Sequence, residues 1–294
     1  MNPVIMHINF GEIQYANYGN KSIADICKMA ADIGYDGIEF REQPPVELRD
    51  SLSFGEYLGQ IAQAKKDTGL SHIMLGIHVI ECMSTDKDTR LKCAADAVER
   101  MRMANDILGT TVFNCLSCDV YSPIKTKTRL GYEFHGSSAA TEEQWKLTAD
   151  TFQYIGKELE IIGARLAFET HMNYIHDLPE SSMRLVRMID SPMIGINMDF
   201  GNTVYFPEHP SVSETIDIYG DKLFYTHLKN STLVGDVRLP AALSDGEINH
   251  RIYLTKLKEV GYSGPIGIEA PRPGDRCWFA QKDFEYYQAV VSAI

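Results

Sequence analysis

Four residues close short apolar runs in the second half of this 294-residue chain. Glu169 follows Arg165-Leu166-Ala167-Phe168, Asp199 follows Ile194-Gly195-Ile196-Asn197-Met198, His227 follows Leu223-Phe224-Tyr225-Thr226, and Glu269 follows Pro265-Ile266-Gly267-Ile268. Taken singly, each reads as a polar strand end facing a loop. Taken together, three carboxylates converging in apolar surroundings would repel one another and raise their own pKa values unless a cation compensates them. A divalent metal resolves that conflict. Three carboxylate oxygens and one imidazole suit Mn²⁺ best, with Mg²⁺, Co²⁺ and Zn²⁺ as alternatives.

The elements that must position these residues follow from an alternation of amphipathic stretches and short apolar runs, the pattern of βα units around a parallel sheet. Ser22 with Asp25 forms a capping-box signature, Ile23, Ile26, Ala30 and Ile33 share one helical face, and Gly34 supplies a stop. The phrase Ile33-Gly34-Tyr35-Asp36-Gly37 before Ile38-Glu39 returns as Val260-Gly261-Tyr262-Ser263-Gly264 before Ile268-Glu269, which indicates repeated helix-to-strand units. Eight strands are expected, near residues 4–9, 37–41, 73–79, 111–115, 165–170, 194–199, 223–228 and 265–269. Eight strands close a (β/α)₈ TIM barrel, an α/β fold, read here as a single domain over residues 1–294. The interval 199–223 leaves room only for a brief helix. The polar stretch 116–141, ending at the capping box of Thr141 and Gln144, reads as a lid or partner-binding loop.

In such a barrel the active site forms at the C-terminal strand ends. His171 follows Glu169 by two residues, so an extended strand would project both to one side, and an imidazole suits proton transfer near neutral pH. Glu39 and Arg41 on the second strand, His78 closing the third, His7 and Asn9 on the first, and Lys229 two residues after His227 are candidates for binding substrate hydroxyls. A buried polar network at the barrel mouth would use the same residue types. Arg272, just beyond Glu269, is a candidate anion binder.

Composition narrows the partners. Lys plus Arg number 28 against 40 for Asp plus Glu, and the net charge of -12 opposes nucleic acid. No basic region followed by an apolar run opens the chain, and no stretch stays apolar for a membrane span, so a cytoplasmic location is expected. The six cysteines follow no disulfide-framework spacing. Cys115 and Cys118 form a lone CxxC without a neighbouring His, read as packing residues at a strand end.

At Phe168-Glu169-Thr170-His171, Asn197-Met198-Asp199-Phe200-Gly201-Asn202, Thr226-His227-Leu228-Lys229 and Gly246-Glu247-Ile248-Asn249 through Ile268-Glu269, the chain resembles the xylose isomerase-like superfamily of sugar isomerases, epimerases and endonuclease-type barrels. The resemblance covers nearly the whole chain. It implies that Glu169, Asp199, His227 and Glu269 bind a metal that polarises the carbonyl and hydroxyl oxygens of a sugar. In the family's ketose 3-epimerases the two metal-binding glutamates are the acid/base pair, which here implies Glu169 and Glu269. Those epimerases carry a second glutamate six residues after the first, where this chain has Ile175, and a histidine three residues after the Asp, where Asn202 stands as a substrate-binding candidate. The expected function is a divalent-metal-dependent sugar isomerase or epimerase working by proton abstraction beside a carbonyl. The alternative is a metal-dependent lyase, of the keto-inositol dehydratase or 3-oxo-glycoside-cleaving kind. An abasic-site endonuclease is disfavoured by the charge and by Asn202. Relatives that form dimers or tetramers make a homo-oligomer or a partner subunit a further expectation.

Overall fold

The computed structural model of the protein describes residues 8–11, 22–44, 51–123 and 131–294. Eight parallel strands close a barrel: β1 (Ile8–Gly11), β2 (Gly37–Arg41), β3 (His72–His78), β4 (Val112–Leu116), β5 (Arg165–Glu169), β6 (Ile194–Asp199), β7 (Leu223–Leu228) and β10 (Ile266–Ile268), with β10 pairing both β7 and β1. The helices α1 (Ile23–Ile33), α2 (Phe54–Thr68), α3 (Lys87–Leu108), α4 (Glu142–Ile162), α5 (Pro179–Ile189), α6 (Phe200–Thr203), α7 (Val212–Tyr219) and α8 (His250–Glu259) lie on the connections between strands, and α9 (Arg276–Val291) follows the last strand. None of the described helices is long and apolar enough to cross a membrane.

Seven of the expected strands begin and end within one residue of the observed ones. The first is observed over Ile8–Gly11, and the rest of its expected span, with His7, falls outside the described residues. Both capping boxes form: Ser22 Oγ accepts from the Asp25 N–H and Thr141 Oγ1 from the Gln144 N–H, satisfying donors that a helix N-terminus leaves open. Gly34 ends α1 at φ 110°, a conformation that costs a side-chain-bearing residue strain. The brief helical interval after β6 holds α6, α7 and one 3-10 turn at Gly220–Lys222. An antiparallel hairpin, β8 (Asn230–Val234) and β9 (Val237–Ala241), has no counterpart among the expected strands.

The larger core lies between barrel and helices, where Phe113, Phe152, Phe168 and Leu166 are fully buried and the Phe152 and Phe168 rings meet edge-on at 4.6 Å. Each such side chain contributes about 2–3 kcal/mol relative to an exposed one. In the register, Glu39 faces Met74, Asn114 faces Ala167 and Asn197 faces Tyr225. Alternate side chains on these strands therefore fill the barrel itself, and that set is polar toward the C-terminal end.

The described flanks of the 116–141 stretch pack on the β5–α5 connection. Asp119 bridges Tyr174, the Gly136 N–H donates to the Val120 carbonyl, and the Ser137 N–H donates to Asp177 Oδ2 at 3.0 Å. Residues 124–130, the middle of that stretch, fall outside the described residues.

Candidate metal centre

Strands β5, β6, β7 and β10 are neighbours in the barrel, so the residues that close them share one rim. One donor atom from each of Glu169, Asp199, His227 and Glu269 lies within 4.8 Å of the others, and among the described residues no other group of His, Cys, Asp and Glu side chains has that geometry. His227 Nδ1 sits 3.5 Å from Asp199 Oδ2, 3.4 Å from Glu269 Oε2 and 3.8 Å from Glu169 Oε1. Gly267 makes this approach feasible, because a Cβ there would collide with the Tyr225 hydroxyl and press on His227.

Lys229 enters the same cluster. Its Nζ lies 2.6 Å from Asp199 Oδ2 and 2.8 Å from Glu269 Oε2, two buried oxygens that make no well-aligned hydrogen bond. Its stem passes over Gly201, where any side chain would occupy the same space. Buried carboxylate oxygens held only by an ion pair of this kind, beside an imidazole nitrogen, are a donor set that fits a divalent cation. Burial and the facing Glu269 push the Glu169 carboxyl above the ordinary carboxylate range. Burial acts on Glu269 in the same sense, but the Lys229 and His227 cations pull it below that range. Burial opposes charge on His227 and Lys229 as well, and the surrounding carboxylates outweigh it, raising both well above their usual values.

A layer of polar side chains inside the barrel holds this rim. His227 Nε2 meets Glu39 Oε2 at 2.8 Å, and the Tyr225 hydroxyl donates to the same oxygen at 2.7 Å. Asn114 Nδ2 donates to Glu39 Oε1 at 2.9 Å and to Glu169 Oε2 at 2.8 Å, and Asn197 Nδ2 donates to Asn114 Oδ1. Glu39 thus holds His227, Tyr225 and Asn114 together while also lining the rim cavity. Asn114, Asn197 and Tyr225 escape the sequence reading, although Asn197 and Tyr225 stand two residues before Asp199 and His227 and so share their face of the strand.

The remaining candidates divide. Glu39, Arg41, His78, His171, Lys229, Glu169 and Glu269 line a cavity of about 230 Å³ at the rim. Strand β5 ends at Glu169, so His171 reaches the cavity from the connection beyond it and not by strand alternation. Its Nδ1 pairs with the Met172 carbonyl at 2.9 Å, which places the proton on Nδ1 and leaves Nε2 as an acceptor. Asn202 holds the rim: its Nδ2 donates to Glu169 Oε1 and to the Thr170 carbonyl, and its backbone N–H donates to Asp199 Oδ1. Arg272 is turned away. Its Nη1 donates to Asp283 Oδ2 and the Ala241 carbonyl, its guanidinium stacks over Phe279, and it does not line the cavity at the rim. The side chain of Asn9 falls outside the described residues. Burial pushes the Cys115 and Cys118 thiols up, which opposes both thiolate ligation and redox chemistry.

The family model described as the xylose isomerase-like TIM barrel matches residues 27–289. The chain belongs to that family. Among curated relatives, an inosose dehydratase of Clostridium perfringens is 26% identical over 153 residues, 47% of this chain and 50% of that protein. The chain spans half or less of the length of the curated relatives it matches. Among solved structures, a probable 3-DHS dehydratase from Bacillus anthracis superposes with a TM-score of 0.76 at 15% identity, covering 96% of this chain and 99% of that one. A D-allulose 3-epimerase from Methylomonas sp., in complex with D-allulose, gives 0.71 at 16% identity, covering 98% of each chain. At such identities these two likenesses speak for the fold of this xylose isomerase-like barrel.

Proposed function

We propose that this xylose isomerase-like barrel is a divalent-metal-dependent lyase that removes a proton from the carbon beside a carbonyl of a sugar-like substrate and then expels a β-hydroxyl as water. The observation behind the reading is the buried cluster of Glu169, Asp199, His227 and Glu269 opening onto a cavity that also holds Lys229 and His171. A divalent cation held there by those four residues would supply Lewis-acid polarisation of the carbonyl, which acidifies the adjoining C–H. His171 Nε2 accepts the proton from carbon. Lys229 Nζ, an ammonium on the opposite chemistry of the same cavity, gives a proton to the departing hydroxyl, and a carbon–carbon double bond conjugated to the carbonyl remains. Arg41 and His78 bind hydroxyls at the wall. The inosose and 3-DHS dehydratases among the similar proteins support elimination, as do Ile175 and Asn202 where ketose 3-epimerases grip their substrate with Glu and His.

A second reading, a 3-epimerase, is favoured by one observation: both glutamates of the cluster line the cavity, with one carboxyl shifted up and the other down. Two oppositely tuned carboxylates are an acid/base pair. Proton NMR of protein loaded with Mn²⁺, exchanged to Mg²⁺ for recording, with scyllo-inosose and with D-fructose in D₂O separates the two. Elimination predicts an enone from the keto-inositol and no deuterated C3 epimer from the ketose. The epimer without elimination would establish the second reading, and no exchange with either, from protein shown by elemental analysis to hold stoichiometric metal, would sink both.

A further inference from the structure

We propose that Lys229 and the divalent cation exchange on the same two carboxylate oxygens, so that Lys229 is free to act in the cavity only when the cation is bound. This inference rests on the metal reading of the rim given above. Lys229 Nζ lies 2.6 Å from Asp199 Oδ2 and 2.8 Å from Glu269 Oε2. The same two oxygens face His227 Nδ1 at 3.5 Å and 3.4 Å, so they are the ones turned toward the centre of the cluster. Both are buried, and neither has a hydrogen-bond partner beyond these ion pairs. Lys229 therefore supplies, from within the chain, the positive charge that converging buried carboxylates require. An ammonium and a divalent cation cannot share those oxygens, because their charges repel across a site where water screens little.

Lys229 has somewhere to go. Its side chain lines the rim cavity and stays 19% exposed. Its stem crosses Gly201, whose missing Cβ leaves the space that the stem fills. Nζ has a third contact, Asn202 Oδ1 at 3.3 Å, an uncharged acceptor outside the four-residue donor set. Once Asp199 and Glu269 are claimed by the cation, that acceptor and the cavity remain to the ammonium. A compact charge on a flexible stem makes the shift without moving β7. Lys229 thus reaches a departing hydroxyl in loaded protein and is otherwise locked on two carboxylates.

Acetylation by N-hydroxysuccinimidyl acetate, followed peptide by peptide in a mass spectrometer, reads how free each lysine amine is. Lys28, exposed on α1, is the internal reference. Stoichiometric Mn²⁺ is expected to speed labelling of Lys229 at least about tenfold relative to Lys28, a modest fraction of what breaking a buried ion pair is worth. Lys229→Met keeps the stem and removes the charge. It is expected to bind Mn²⁺ at least about tenfold more tightly than the parent in competition with a fluorescent chelator, because no ion pair has to be displaced. The labelling uses the parent protein and so decides the matter even if the variant does not fold. Labelling of Lys229 that Mn²⁺ leaves unchanged or slows, or a folded variant that binds Mn²⁺ no more tightly than the parent, would overturn the exchange and leave the metal site standing. A parent that takes up no metal would remove the metal reading and the exchange with it.

Discussion

The most informative residue is Glu39, because the structure gives it a different task from the one its position invites. On the second strand, beside Arg41, it reads as a ligand for substrate hydroxyls. Its Oε2 instead lies 2.8 Å from His227 Nε2, so the ring's other nitrogen, Nδ1, is turned toward Asp199 and Glu269. A carboxylate behind a metal-binding imidazole fixes its tautomer and raises its basicity. Glu39→Gln keeps the shape and removes the charge. The variant is expected to hold the metal about 10–100-fold more weakly, the usual cost of losing such a partner, measured by competition with a fluorescent chelator. Unchanged affinity would make Glu39 a packing residue. The four rim residues were legible because each ends an apolar run; Glu39's partner was not, since a sequence separation of 188 residues carries no local signal.

At the scale of elements, the strands were legible to within a residue because a strand buried on both sides is largely apolar, with its polar positions gathered toward the C-terminal end. The hairpin β8–β9 escaped because Leu233, Val234, Val237 and Leu239 are exposed and mixed with polar neighbours, without the alternation that marks a half-buried strand. Arg272 fastens its far end, as Asn230 does its near end. The guanidinium donates to the Ala241 carbonyl at the end of β9 and to Asp283 on α9, while Asp283 Oδ1 accepts from the Leu243 N–H. Both partners are nearly inaccessible to solvent. Removing one partner of a buried pair leaves the other's charge uncompensated, so Arg272→Ala is expected to lower the unfolding free energy by about 3–5 kcal/mol in urea titrations. If Arg272 served an anion in the active site, the variant would keep its stability and lose substrate affinity.

For the whole molecule, stability against pH sums many buried groups, and two of the histidines among them act in opposite senses. His227, held protonated by carboxylates in the absence of a cation, favours the folded state as pH falls. His250, the first residue of α8 and stacked on Tyr253, is almost wholly buried, and burial pulls it down to about 4, the Lys229 backbone offsetting that only in part. A group whose folded value lies below its unfolded one is neutral in the native state, and the unfolded chain takes up the proton first. Its contribution is therefore complete above about pH 6.5 and is lost as pH falls from there toward 4. Because His227 acts the other way, the stability curve of one protein does not isolate either residue, and a difference between two proteins does. His250→Phe keeps the ring and removes the titration. Relative to the parent, the variant is expected to gain about 2–3 kcal/mol between pH 7.5 and pH 4.5, read from urea unfolding at a series of pH values. A difference that stays flat across that range would mean that His250 takes up its proton in the folded barrel as readily as in the unfolded chain.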